Sequence, residues 1–109
     1  MALAKQIDSR TLFSWIEQKK EFTLLDIRPL AQREACYIPE SINVDVYEEL
    51  KAGNVNALDG FNFNPLQPAV VFCAGGKLSV FAAQILSEKG VEAYSLIGGM
   101  DAWNTTRKG

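Results

Sequence analysis

Apolar runs alternate with amphipathic stretches along this chain, and the alternation predicts strands that alternate with helices. Runs that are bounded by polar or turn residues predict buried strands over 22–27, 41–44, 68–72 and 92–96. Cap residues, apolar spacing and terminal glycines predict helices over about 9–20, 47–51, 79–89 and 100–106, with a turn or short helix over 30–37. The segment 54–67 is rich in Asn, Gly and Pro, which predicts an irregular surface loop.

Alternating strands and helices indicate a parallel sheet that helices cover on both faces, with right-handed crossovers. The 109 residues contain no visible linker or repeat, so we expect one domain over residues 1–109. In such sheets a ligand site lies beyond the carboxyl ends of the strands. Cys73 follows one predicted strand, and Asp26 and Arg28 lie at the end of another. The topology therefore brings these three residues to one edge of the sheet.

Cys73 stands between a predicted strand and a small, permissive loop that leads into a helix. The loop contains Gly75, Gly76 and Lys77, and Ser79 offers a start signal for the helix. The backbone N–H groups of such a loop, together with the first helical turn, form a partly positive nest that holds anions. This environment predicts a nucleophilic thiolate at Cys73 in place of a buried, inert thiol.

Composition excludes several kinds of site. With 11 Lys and Arg against 13 Asp and Glu, the net charge is −2 and no basic run is present, so we expect no nucleic-acid partner. The chain has no histidine, which excludes imidazole-assisted catalysis, and two cysteines are too few for a cysteine zinc site. We therefore expect no metal and no cofactor. No membrane span or secretion signal is visible, which predicts a cytoplasmic protein.

Four segments resemble the rhodanese, or sulfurtransferase, homology domain, and together they cover most of the chain. Residues 25–28 resemble the family's Asp-x-Arg strand end, and residues 34–43 resemble its Glu-x-Gly-His-Ile-Pro-Gly-Ala-x-Asn segment. Residues 71–79 resemble its active-site loop, and residues 96–103 its closing Leu-x-Gly-Gly-x-x-x-Trp. The resemblance implies a rhodanese-like α/β fold, with a central parallel sheet of about five strands and helices on both faces.

The resemblance also implies a sulfurtransferase. Members of the family take a sulfane sulfur from thiosulfate, polysulfide or a low-molecular-weight persulfide and hold it on a cysteine as a persulfide. They then pass it to cyanide or to a thiol, which can belong to a protein. Carried over by position, the nucleophile would be Cys73. The substrate-binding loop would consist of Ala74, Gly75, Gly76, Lys77, Leu78 and Ser79.

Two departures from the family pattern bear on the substrate and on the second thiol. Family members often carry Arg at the place of Leu78, whereas the only cation in this loop is Lys77. A lysine offers a point charge where a guanidinium offers a fork, so weak thiosulfate binding and an apolar or thiol-based donor are expected. Residues 36–40 differ from the family's Gly-His-Ile-Pro-Gly run and place a second thiol, Cys36, outside the loop.

Three side chains and two other function classes stay open at this point. Asp26, Arg28 and Glu34 would either lie at the pocket rim or serve the structure. A non-catalytic or regulatory interaction module on the same fold is the main alternative function, although such modules often lose the cysteine. A related cysteine phosphatase or arsenate reductase is a remote alternative, because those need Arg at the sixth residue after the cysteine, where this chain has Ser79.

Overall fold

Five parallel strands form the central sheet in the computed structural model, which describes residues 4–108 and the side chains of residues 4–105. In chain order the strands are β1 Lys5–Ile7, β2 Thr23–Asp26, β3 Ile42–Asn43, β4 Ala69–Phe72 and β5 Ala93–Leu96. Across the sheet they lie in the order β1-β5-β4-β2-β3, and every neighbouring pair is parallel. The helices are α1 Ser9–Glu17, α2 Leu30–Ala35, α3 Tyr47–Lys51, α4 Leu78–Glu88 and α5 Gly99–Lys108. Within residues 4–108, no helix is long and apolar enough to cross a membrane.

The central strand β4 shows why helices cover both faces of the sheet. All four of its residues are buried, and successive side chains of a strand point to opposite faces. Val70 and Phe72 pack in an apolar cluster with Leu12 of α1 and Trp103 of α5. Val71 packs in a second cluster, which holds residues of α3 and α4. The predicted α/β fold, a five-stranded parallel sheet with helices on both faces, is confirmed.

The amino-terminal elements differ from the prediction. The strand Lys5–Ile7 is not predicted by the sequence, because it lies at the sheet edge and Ile7 is its only buried residue. Serine is a common cap and Ser9 opens the predicted helix, but α1 is capped by Asp8, whose carboxylate accepts the N–H of Thr11 at 2.8 Å, and Ser9 is the first helical residue. The helix also ends earlier than predicted, at Glu17.

Helix α4 begins one residue earlier than predicted. Leu78 is its first residue and Lys77 occupies the N-cap position, where its side chain makes no capping hydrogen bond. Ser79 therefore lies inside the first turn, and it is buried. The prediction of Ser79 as a capping residue is wrong, because its hydroxyl bonds another buried group instead.

Three neighbouring strands bring their carboxyl ends together around Cys73. Cys73 directly follows β4, which lies between β2 and β5. Asp26, the last residue of β2, is in register with Phe72, and Ser95 of β5 is in register with Val71. The central position of β4 thus places the cysteine where side chains and loops from both neighbours can reach it.

Candidate active site

The Cys73 sulfur is held by backbone N–H groups of the loop that follows β4. The N–H of Gly76 donates to Sγ at 3.2 Å, and that of Ser79 donates at 3.4 Å. The Ser79 N–H belongs to the first turn of α4, where N–H groups lack a helical acceptor and carry the positive end of the helix dipole. Because Cys73 is only 5% exposed, little water competes with these donors for the sulfur.

Two buried hydroxyl groups continue the hydrogen bonding behind the sulfur. Ser79 Oγ lies 3.5 Å from Cys73 Sγ and 2.8 Å from Ser95 Oγ of β5, and both serines are buried. A thiol can donate its S–H to Ser79. A thiolate has no proton to donate, so the Ser79 hydroxyl must then donate to the sulfur and accept from Ser95. The hydroxyl pair therefore offers a third hydrogen bond to the charged sulfur.

Two glycines fix the loop against the start of α5. Gly76 has a φ of +94°, and a Cβ there would lie 2.8 Å from the backbone nitrogen of Gly98. Gly99 has a φ of +55°, and a Cβ there would lie 2.3 Å from the carbonyl oxygen of Cys73. The same oxygen accepts the N–H of Met100 at 2.8 Å. Glycine is therefore required at both positions for the loop to hold the sulfur where it does.

The sulfur opens onto a cleft of about 240 Å³ at the carboxyl edge of the sheet. The loop contributes Ala74, Gly75, Lys77 and Leu78 to its lining, and α3 contributes Tyr47. Lys77 is exposed and supplies the only ammonium group among these lining residues. An anionic sulfur compound that entered the cleft would meet the thiol beside this positive charge.

Asp26 and Arg28 form a buried ion pair outside the cleft. The Asp26 carboxylate accepts Nε of Arg28 at 3.0 Å and Nη2 at 2.8 Å. Arg28 also donates to the carbonyl oxygen of Cys36 at 2.6 Å, while Arg33 reaches the same carboxylate at 3.4 Å. Neither Asp26 nor Arg28 lines the cleft, and Glu34, exposed on α2, does not line it either. The contacts of the ion pair are those of a structural tie between β2 and α2.

The second thiol, Cys36, lies at the carboxyl end of α2 and not in the cleft. It is exposed, and its S–H donates to Oδ1 of Asn104 on α5 at 3.7 Å. Cys36 and Cys73 are both free thiols. In the described part of the chain, no group of three or more His, Cys, Asp or Glu side chains could hold a metal ion.

Ser95 and Tyr47 also lie at the site, although no motif in the sequence singles them out. A serine in the apolar strand β5 is a signal for a buried hydrogen bond, because a buried hydroxyl without a partner is costly. The sequence does not identify Ser79 as the partner of Ser95, since the contact between the two serines depends on the order of the strands in the sheet. Tyr47 reaches the cleft only through the packing of α3 against α4.

The protein is an α/β protein with a parallel sheet, and a loop of backbone N–H donors holds a cysteine sulfur at the carboxyl edge of that sheet. A family model described as the rhodanese-like domain matches residues 10–106, and the chain belongs to this family. It is 33% identical over 90 residues to the adenylyltransferase and sulfurtransferase MOCS3 of Drosophila sechellia. It is 32% identical over 91 residues to the adenylyltransferase and sulfurtransferase UBA4 of Lodderomyces elongisporus. These matches cover 81% and 80% of this chain but 20% of each relative, so the chain spans about a fifth of their length.

Solved structures of rhodanese-like proteins share the fold. A rhodanese-related protein from Thermoplasma volcanium superimposes with a TM-score of 0.73 at 24% identity, covering 94% of this chain and 92% of that one. A rhodanese-like domain protein from Staphylococcus aureus also gives a TM-score of 0.73, at 25% identity, covering 91% and 90% of the two chains. The rhodanese-like fold that the four sequence segments predict is thereby confirmed.

Proposed function

We propose that this chain is a sulfurtransferase that moves a sulfane sulfur through a persulfide on Cys73. The donor is thiosulfate, polysulfide or a low-molecular-weight persulfide, and the acceptor is a thiol or cyanide. The observation that carries the proposal is the pair of N–H groups, from Gly76 and Ser79, that donate to the cysteine sulfur. The names of the MOCS3 and UBA4 relatives, which include sulfurtransferase, support it.

The chemistry needs a charged sulfur and no base in the transfer itself. The Cys73 thiolate attacks the sulfane sulfur of the donor, a new S–S bond forms, and the old bond to that sulfur breaks. The electron pair leaves on sulfite when the donor is thiosulfate, or on a thiolate when it is a persulfide. The acceptor nucleophile then attacks the terminal sulfur and releases the Cys73 thiolate. None of these steps needs an imidazole base, and the chain has no histidine.

The loop stabilises the charge that the transfer moves. By analogy with an oxyanion-hole donor, each N–H aimed at developing charge contributes up to about 3 kcal/mol to the transition state. Leu78 takes the place of an arginine and makes no ionic hydrogen bond to a sulfonate. The missing bond is worth about 1.5–3 kcal/mol, or roughly one to two decades in rate. We therefore propose that a thiol-based donor is used in preference to thiosulfate.

Intact mass measured after mixing with inorganic polysulfide tests the nucleophile. The wild type and the matched control Cys36→Ser should each gain one sulfur atom that cyanide removes, and Cys73→Ser should gain none. Serine is nearly isosteric with cysteine, so the unfolding midpoint of Cys73→Ser should stay close to that of the wild type. Equal sulfur uptake by Cys73→Ser would refute the assignment. Wild type that takes no sulfur from polysulfide, thiosulfate or a persulfide would favour a non-catalytic interaction module.

We further propose that the protein works in the cytoplasm. Cys36 is an exposed free thiol, and Cys73 is a free thiol that must stay reduced between turnovers. Free thiols of both kinds suit a reducing compartment. Fractionation of the producing cells with an antibody to the chain would test this assignment.

A further inference from the structure

A second cavity of about 340 Å³ adjoins the cleft at Cys73. The two cavities share Tyr47, Lys77 and Leu78 as lining residues, so they lie side by side along the loop and α3. A volume of this size lies within the range of small-molecule sites. Thiosulfate, which has no organic part, would occupy the cleft and leave the second cavity unused.

The lining of the second cavity combines apolar surface with two ammonium groups. Leu78 and Phe81 of α4 pack against the apolar core. Lys51 and Lys77 are exposed, and Nζ of Lys51 lies 5.8 Å from the ring centroid of Tyr47. Among the described residues, neither lysine forms an ion pair, and no carboxylate lines the cavity. The cavity is therefore complementary to a ligand with a short apolar body and a negative charge.

The acidic residues of α3 do not line this cavity. Tyr47, Leu50 and Lys51 are spaced at i, i+3 and i+4, which places them on the face of α3 that lines it. Glu48 and Glu49 lie outside that spacing, are exposed, and line neither cavity. The charge that a bound ligand meets at this face is consequently positive.

We infer that the cavity between α3 and α4 binds the organic part of the sulfur donor, and that this donor is a low-molecular-weight persulfide carrying a carboxylate. The inference rests on the proposed function and names its substrate class. The sulfane sulfur enters the cleft at Cys73, the short carbon body lies on Leu78 and Phe81, and the carboxylate lies near Lys51.

The transfer balances without any further reactant. The Cys73 thiolate attacks the terminal sulfur of the persulfide R–S–SH, forming the Cys73 S–S bond and breaking the S–S bond of the donor. The electron pair leaves on the thiolate R–S⁻. That thiolate takes the proton of the new persulfide, which leaves Cys73–S–S⁻ and the thiol R–SH. Sulfur is the only element transferred, and no external oxidant or reductant takes part.

Two donors of matched length and opposite charge test the inference. Rapid quenching and intact mass give the second-order constants for loading Cys73 from the persulfides of 3-mercaptopropionate and of cysteamine. The wild type should prefer the carboxylate donor about tenfold, because the two lysine ammonium groups attract the negative carboxylate donor and repel the positive amine donor. Lys51→Gln should lower this ratio by about three- to fivefold, the size of an exposed ion pair. Lys51→Arg should preserve it, and added salt should lower it in the wild type.

The matched control is Arg10→Gln, which removes one positive charge from an exposed site on α1. It should leave the donor ratio at the wild-type value. If Cys73 loads from both donors and Lys51→Gln leaves the ratio unchanged, the inference is overturned and the proposed function stands. If Arg10→Gln lowers the ratio as much as Lys51→Gln, net charge and not the cavity selects the donor, which also overturns it. If wild type loads from neither organic donor nor from inorganic polysulfide, the proposed function fails and the inference fails with it.

Discussion

Gly99→Ala should both destabilise the protein and displace the cysteine loop. The added Cβ would lie 2.3 Å from the carbonyl oxygen of Cys73 and 2.8 Å from that of Ala74. Both atoms belong to the backbone, and these oxygens accept the N–H groups of Met100 and Asp101 at 2.8 and 3.1 Å. No side-chain rotation can relieve such a clash, so either the loop or the start of α5 must move.

The free-energy cost has two parts. A left-handed backbone conformation costs an alanine about 1–2 kcal/mol, and Gly99 has a φ of +55°. Forcing extra atoms into a packed region adds about 1–3 kcal/mol. We therefore expect the free energy of unfolding to fall by about 2–5 kcal/mol. A shift of the Cys73 carbonyl also moves Sγ relative to its donors, so the rate of persulfide formation should fall as well.

Gly90→Ala isolates the first part of that cost. Gly90 has a φ of +91°, and a Cβ there would meet no atom within 4 Å. Urea unfolding followed by tryptophan fluorescence should show a loss of about 1–2 kcal/mol for this control, with sulfur loading unchanged. A Gly99→Ala variant at least as stable as Gly90→Ala would contradict the expected clash. A Gly99→Ala variant that loads sulfur at the wild-type rate would contradict the expected displacement of the loop.

Three further substitutions probe the hydrogen bonds around the site and the fold. Ser95→Ala should slow sulfur loading and lower stability by about 1–3 kcal/mol, since the hydroxyl beside the sulfur loses its buried partner; unchanged loading would contradict this. Asp26→Asn should cost about 3–5 kcal/mol in urea unfolding, because Arg28 is left buried without its counter-charge, and a loss below 1 kcal/mol would contradict it. The hydrogen bond to Glu92 raises the pKa of Tyr94 from 10.0 to about 12. The stabilisation of the native state by this hydrogen bond is therefore complete below about pH 10 and is lost as pH rises through 12. The stability difference between wild type and Tyr94→Phe should therefore shrink between pH 10 and 12, and a constant difference would count against it.

The sequence predicts the central part of the fold because burial there leaves a strong pattern. Strand β4 is buried on both faces, and its continuous apolar run is what a central parallel strand requires. Strand β1 pairs only with β5, at the sheet edge, so Lys5 and Gln6 are exposed and leave no such run. The predicted cap at Ser79 is wrong because Ser95, distant in sequence, offers its hydroxyl a buried partner.

Side-chain direction explains why Asp26 shares an edge with Cys73 without sharing its cleft. Asp26 is in register with Phe72, whose ring packs on the face covered by α1 and α5. Cys73 is the next residue and faces the opposite side, with Val71. The order of strands and helices in the sequence predicts which residues lie at the carboxyl edge of the sheet. The register between paired strands decides to which face of the sheet each of their side chains points. That register depends on pairing across the sheet, which local sequence does not specify.

The hydrogen bonds at the loop show which atom its N–H groups contact. Phosphatase-type loops direct their N–H groups and an arginine at a bound tetrahedral anion. Here the N–H groups of Gly76 and Ser79 are already bound to Cys73 Sγ, and the position of that arginine, the sixth residue after the cysteine, holds Ser79. In the proposed sulfurtransferase, the charge that these donors stabilise lies on the cysteine itself, as a thiolate or as a persulfide. We propose that a substrate with its own charge finds it matched by the lysines that line the adjoining cavity.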